Sequence, residues 1–107
     1  MSVYMFQSTF TADAWAGLAK TPQNRGEAVR PAIEQLGGKL ISYYFSFGEY
    51  DSVVIAELPD NASAAAASIA AAAGGAIKAI KTTPLMTAEE GMEAMGKAGP
   101  AGYRPPS

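Results

Sequence analysis

Hydrophobic positions along this chain fall into short runs separated by Gly, Pro and Asp, and the spacing inside each run changes from element to element. Val3–Phe10, Lys39–Phe47 and Ser52–Leu58 are rich in β-branched and aromatic residues, which predicts three strands. Thr11 is placed to cap a short helical segment that begins with Ala12-Asp-Ala-Trp15. Thr21-Pro22 then predicts a helix restart, with Thr as cap and Pro at the first helical position. Within that second helix Val29, Ala32, Ile33 and Leu36 fall at i, i+3, i+4 and i+7, a core-facing stripe, and Gly37-Gly38 ends it. Pro31 lies inside the same helix and is expected to bend it, because it removes one backbone hydrogen bond.

Strand two is apolar on both faces. Strict alternation places Leu40 and Tyr44 on one side and Ile41, Tyr43, Phe45 and Phe47 on the other. Strand three repeats this, with Val53 and Ile55 against Val54, Ala56 and Leu58. Between the two lies Phe47-Gly-Glu-Tyr-Asp51, a hairpin loop and the most compact cluster of ionisable and phenolic groups in the chain. After the Pro59-Asp60 break, nine of the twelve residues from Ala62 to Ala73 are Ala, which predicts a helix lying close to the sheet. Gly74-Gly75 closes that helix, Ala76–Thr83 reads as strand four, and Thr87-Ala-Glu-Glu90 is a capping box that opens a last helix through Met92 and Met95.

The order β-α-β-β-α-β is that of the split βαβ, ferredoxin-like plan, an α+β fold with a four-stranded antiparallel sheet and here an extra C-terminal helix. Residues 1–97 form the expected domain, and the Gly/Pro-rich stretch 98–107 reads as a flexible tail. Helices cover one face of such a sheet. Large apolar residues on the second face therefore predict a symmetric partner, a homodimer or a higher oligomer.

Composition narrows the chemistry. The chain has 107 residues, 49% of them hydrophobic, and a formal net charge of -2, so neither nucleic acid nor an anionic membrane is an expected partner. No run approaches the roughly 18 apolar residues of a membrane span. The opening Met1-Ser-Val-Tyr-Met-Phe6 lacks a signal-peptide pattern, and a cytoplasmic location is expected. There is no Cys and no His, which removes thiolate and imidazole ligands as well as His-dependent triads. Neither a metal nor a cofactor is expected, and acid–base work would fall to Asp, Glu, Tyr or Lys.

Gly37-Gly38-Lys39-Leu40, Tyr43-Tyr44, Gly48-Glu49-Tyr50-Asp51-Ser52-Val53-Val54, the Pro59-Asp60 break, the Ala-rich helix and Leu85-Met-Thr-Ala-Glu-Glu90 together resemble the GYD-domain family, small bacterial proteins of the dimeric α/β-barrel group. Gly48, Tyr50 and Asp51 match the three residues of the family name, and the similarity covers about residues 3 to 95. Pro31 and the tail beyond Gly96 depart from the pattern. The resemblance implies a ferredoxin-like fold and sheet-to-sheet dimers, and it carries no established reaction. Proteins of similar fold include cofactor-free monooxygenases, lactone isomerases, haem-dependent enzymes and amino-acid-sensing domains.

Two readings follow for the candidate residues. In the first the protein is a binding or assembly module for a small hydrophobic metabolite, with Tyr4, Phe6, Trp15, Arg25 and Tyr44 as ligand-binding candidates. Arg25 would meet an anionic group and Trp15 would form one wall. In the second it is a cofactor-independent monooxygenase or isomerase acting on a small aromatic or polyketide-like molecule, with Asp51, Tyr50 and Glu49 as catalytic candidates. Asp51 has a structural alternative, accepting hydrogen bonds from loop amides. Base stacking of the RRM kind is disfavoured, because strand three, Ser-Val-Val-Ile-Ala-Glu-Leu, offers no aromatic residue.

Overall fold

Tyr4, Phe6 and Ser8 are buried while Val3, Met5, Gln7 and Thr9 between them are half-buried, the signature of a strand covered on both edges and on one face. In the computed structural model, which describes residues 1–106, this strand is β1 (Ser2–Phe10). It is followed by α1 (Ala12–Lys20), α2 (Arg25–Gln35), β2 (Lys39–Phe45), β3 (Ser52–Leu58), α3 (Asn61–Ala73), β4 (Ile77–Leu85) and α4 (Ala88–Ala98). The four strands form one antiparallel sheet in the order β2-β3-β1-β4, the ferredoxin-like arrangement that the element order predicts. Ser107, the last residue of the expected tail, lies outside the described residues.

Residues paired directly across antiparallel strands share a face, so the register sorts every strand side chain. Under the helices the rungs read Leu40–Ala56–Tyr4–Pro84, then Tyr43–Val54–Phe6–Thr82, then Phe45–Ser52–Ser8–Ile80. Strict alternation in β2 fails at one point. The pairing skips between Leu40 and Ser42, leaving Ile41 as a bulge that is 50% exposed. One extra residue inverts the parity of everything after it. Leu40 therefore joins Tyr43 and Phe45 beneath the helices, and Tyr44, opposite Val53, turns to the other face.

The buried core consists of Tyr4, Phe6, Ile33, Leu40, Val54, Ala56, Leu58 and Ala64, with Val29, Leu36 and Ala67 packed against it from the helices. α1 starts where expected, with the Thr11 hydroxyl accepting from the Ala14 amide at 3.1 Å. The helix restart does not occur at Thr21-Pro22. Thr21 instead closes α1 by donating its amide to the Gly17 carbonyl at 2.9 Å, and Asn24 caps α2 by accepting from Glu27 N–H at 3.2 Å. The reason is local: a residue before proline avoids the helical region, and Thr21 sits at φ −134°, ψ 81°. α2 runs on through Pro31 to Gln35.

At the end of α2, Gly37 adopts φ +82°, and the amides of Gly37 and Gly38 donate to the carbonyls of Glu34 (2.9 Å) and Ile33 (3.0 Å). This is a Schellman closure, which needs a left-handed residue at Gly37. Asp60 caps α3 by accepting from Ser63 N–H at 2.8 Å, a bond that holds its pKa below the ordinary carboxylate value. β4 extends two residues further than expected and carries Pro84, which is tolerated because β4 is an edge strand. The capping box of α4 forms as read, with Thr87 and Glu90 bonding each other's amides at 3.1 and 3.0 Å.

α4 buries no residue, and Met92 and Met95 on it are 70% and 75% exposed. The radius of gyration is 17.0 Å, against about 13 Å for a compact chain of this length. Gly38 is the most crowded of the glycines. A Cβ there would lie 2.2 Å from the Glu57 carbonyl oxygen and 2.7 Å from Leu58 Cδ2. Gly38→Ala is expected to cost about 2 kcal/mol in urea unfolding. Gly48→Ala, which meets nothing within 4 Å, should stay within about 0.5 kcal/mol of the parent.

Candidate functional site

α2 packs over β2 and α3 over β4, so the two helices leave the central strands β1 and β3 thinly roofed at one end. Small residues make up much of the helix side of that gap, Ala28 and Ala32 from α2, Ala67 and Ala71 from α3 and Gly17 from α1, beside the larger Val29, Ile33 and Leu36 of α2. Close packing needs volume, and alanines supply little of it. The result is a cleft of about 600 Å³ between the helix layer and the sheet. Its floor carries Phe6 and Val54, then the Ser8–Ser52 pair, then Phe10 and Ile77.

Polar groups in this lining are few. Ser8 and Ser52 are 5% and 2% exposed and lie directly opposite each other on the two central strands. The Tyr43 phenol stands beside Ser52; burial pushes its pKa up, while the Ser52 hydroxyl and the Arg25 charge act in the opposite sense. Arg25, half-buried at the first position of α2, donates to Gln23 Oε1 at 2.9 Å and has no salt bridge among the described residues. Asp13 and Gln23 are exposed lining residues at the rim. Among the described residues no group of three or more acidic side chains is placed to hold a metal ion. No helix of the described chain is long and apolar enough to cross a membrane.

Of the residues singled out as ligand-binding candidates, Phe6 and Arg25 line this cleft. Trp15 is one shell out, packed on Phe10 (centroids 5.1 Å apart) and on Phe45 (6.1 Å), and it is 38% exposed. Tyr4 is buried and gives its hydroxyl proton to Asn61 Oδ1 at 2.6 Å, beside a shallower groove between α3 and β4. Tyr44 is 64% exposed on the opposite face of the sheet.

The catalytic candidates lie together in the β2–β3 loop, outside the cleft lining. Asp51 Oδ2 accepts from the Phe10 amide at 2.8 Å. The Asp51 amide donates to the Ser8 carbonyl, and its own carbonyl accepts from Ser46 N–H, both at 2.8 Å. The Ser46 hydroxyl donates to the Tyr50 carbonyl at 2.7 Å. Glu49 is exposed and Tyr50 half-buried.

The inward-facing groups that sequence reasoning passed over are Ser8, Ser52 and Tyr43. A signal for the first was present: in β1 the inward series is Tyr4, Phe6, Ser8, Phe10, so a serine interrupts an aromatic face. What the cleft can do chemically is enclose an apolar body and offer hydroxyl groups to an oxygen atom.

Tyr43 gives a pH test. Its folded pKa lies above the ordinary phenol value of 10.0, so near that pH unfolding releases a proton, and the contribution is intact below that pH and lost as pH rises through the folded value. Urea-unfolding free energies measured upward from about pH 9.5 should therefore fall more steeply for the parent than for Tyr43→Phe.

The GYD domain family model matches residues 4–95. No curated protein matches the sequence. Among solved structures, the crystal structure of MtbAldR is similar in fold, with a TM-score of 0.52 at 17% identity over 80% of this chain. The alignment covers 52% of MtbAldR, so this chain spans about half the length of that protein.

Proposed function

The chain belongs to the GYD domain family, and we propose that it serves as a cytoplasmic homodimeric module that binds a small hydrophobic metabolite in the cleft between its helices and sheet. The observation that carries this reading is the cleft itself. A volume of about 600 Å³ lies within the range of small-molecule sites, and an apolar lining with few polar groups is their usual make-up. The enzymatic alternative needs a base facing the substrate. The Asp51 carboxylate is bonded to the Phe10 amide and does not line the cleft, which supports binding over proton abstraction at that residue.

A partner copy would account for the second face of the sheet. Val3, Met5, Val53, Ile55 and Leu85 are only half-buried there, and Tyr44 is largely exposed beside them. Leaving such a surface in water costs about 25 cal/mol for each Å² of apolar area, and a second sheet of the same kind removes that cost for both copies. α4 adds Met92 and Met95 to the unburied apolar surface, and methionine adapts to irregular partners.

Filling the cleft tests the first half of the proposal. Ala71→Phe should keep the parent circular dichroism spectrum yet weaken calorimetric binding of 1-anilinonaphthalene-8-sulfonate at least tenfold; unchanged binding would place that dye elsewhere and remove this support. For the second half, sedimentation at micromolar concentration should give a dimer for the parent and a monomer for Ile55→Glu. A parent chain that sediments as a monomer ends the dimer reading.

A further inference from the structure

Ser8 and Ser52 occupy the middle of the sheet, on its two central strands, at a rung whose outer positions are Phe45 and Ile80. The rungs on either side carry Phe6 with Val54 and Phe10 with Ile77. Two hydroxyls facing each other in such surroundings lose their water and are costly unless something bonds them. Ser52 has the Tyr43 phenol beside it, and Ser8 lies directly across from Ser52 on the neighbouring strand. No buried side-chain polar atom is orphaned among the described residues, and both hydroxyls border the cleft.

We propose that Ser8, Ser52 and the Tyr43 phenol form the polar end of the cleft and hold the single hydroxyl or carbonyl oxygen of an uncharged, otherwise apolar ring compound. This rests on the binding reading above and names the class of molecule bound. One oxygen is indicated because these three groups form one cluster, whereas the Phe6, Phe10 and Ala67 surfaces offer only apolar contact. The hydroxyls donate as well as accept, so they suit either a hydroxyl or a carbonyl. Neutrality follows from the charges. Arg25 and Asp13 both line the cleft, one of each sign, so the charges of its lining balance.

Three probes of one shape separate the possibilities: 2-naphthol, 2-methylnaphthalene and 2-naphthoate, titrated into the full chain by calorimetry. The proposal expects 2-naphthol to bind about tenfold or more tightly than 2-methylnaphthalene, from one or two added hydrogen bonds. In a Ser8→Ala, Ser52→Ala double variant that ratio should fall to about one, with 2-methylnaphthalene bound as well as before or better. Equal affinity of the two neutral probes for the parent chain overturns the proposal and leaves the binding reading standing. So does a preference unaltered in a folded double variant. Tightest binding of 2-naphthoate, lost in Arg25→Gln, overturns it in favour of an anionic ligand. If none of the three binds, the binding reading falls with it. The ranking on the parent chain decides the matter even if the double variant fails to fold.

Discussion

The Phe10 amide donating to the Asp51 carboxylate ties the β2–β3 loop to the end of the central strand, and the rest of the sheet is set by that tie. Together with the Asp51 amide on the Ser8 carbonyl, it fixes where β3 begins relative to β1. Ser52 then falls opposite Ser8, Val54 opposite Phe6 and Ala56 opposite Tyr4. A slip of one residue would send all of these to the other face and leave the helices with nothing to cover. A hydrogen bond to a charged group contributes about 1.5–3 kcal/mol, enough to select one register over its neighbours.

From that register the cleft follows. The sheet presents two small hydroxyl residues at its centre, and the helices above line the space with several alanines and a glycine beside Val29, Ile33 and Leu36. Aromatic packing holds one end of the cleft in shape. Phe10, Trp15, Phe45 and Tyr43 form a chain of ring contacts from 5.1 to 6.3 Å that braces α1 against β1 and β2. The candidate ligand-facing residues thus lie on strands and helix faces rather than on loops, and rigid supports of this kind keep a binding constellation in place.

The same sheet offers its other face very differently. Its apolar residues are mixed with Lys39, Glu57 and Lys81, and Lys39 stands directly opposite Glu57, a cross-strand pair of opposite charge. A surface of that make-up resembles a protein interface, apolar at the centre with polar groups around it. α4, which buries no residue, adds its exposed Met92 and Met95 to the unburied apolar surface.

Much of this was legible in the residues. Period-two alternation, capping signals at Thr11 and Asp60, the capping box at Thr87–Glu90 and the paired glycines gave the strands, most helix ends and the ferredoxin-like order, because each rests on local sterics and hydrogen bonding. The GEYD loop was visible too, but not the destination of its carboxylate, since the Phe10 amide is 41 residues away. The Ile41 bulge escaped because a strand pattern carries no mark for an inserted residue until its partner is known. That one residue moved Tyr44 away from the cleft and brought Tyr43 toward it, and with it the polar end of the candidate site. Sequence alone thus determined the elements and their order, which depend on neighbours along the chain. Which side chains face each other across the cleft was decided by strand register and helix spacing, and these exist only when distant segments pair.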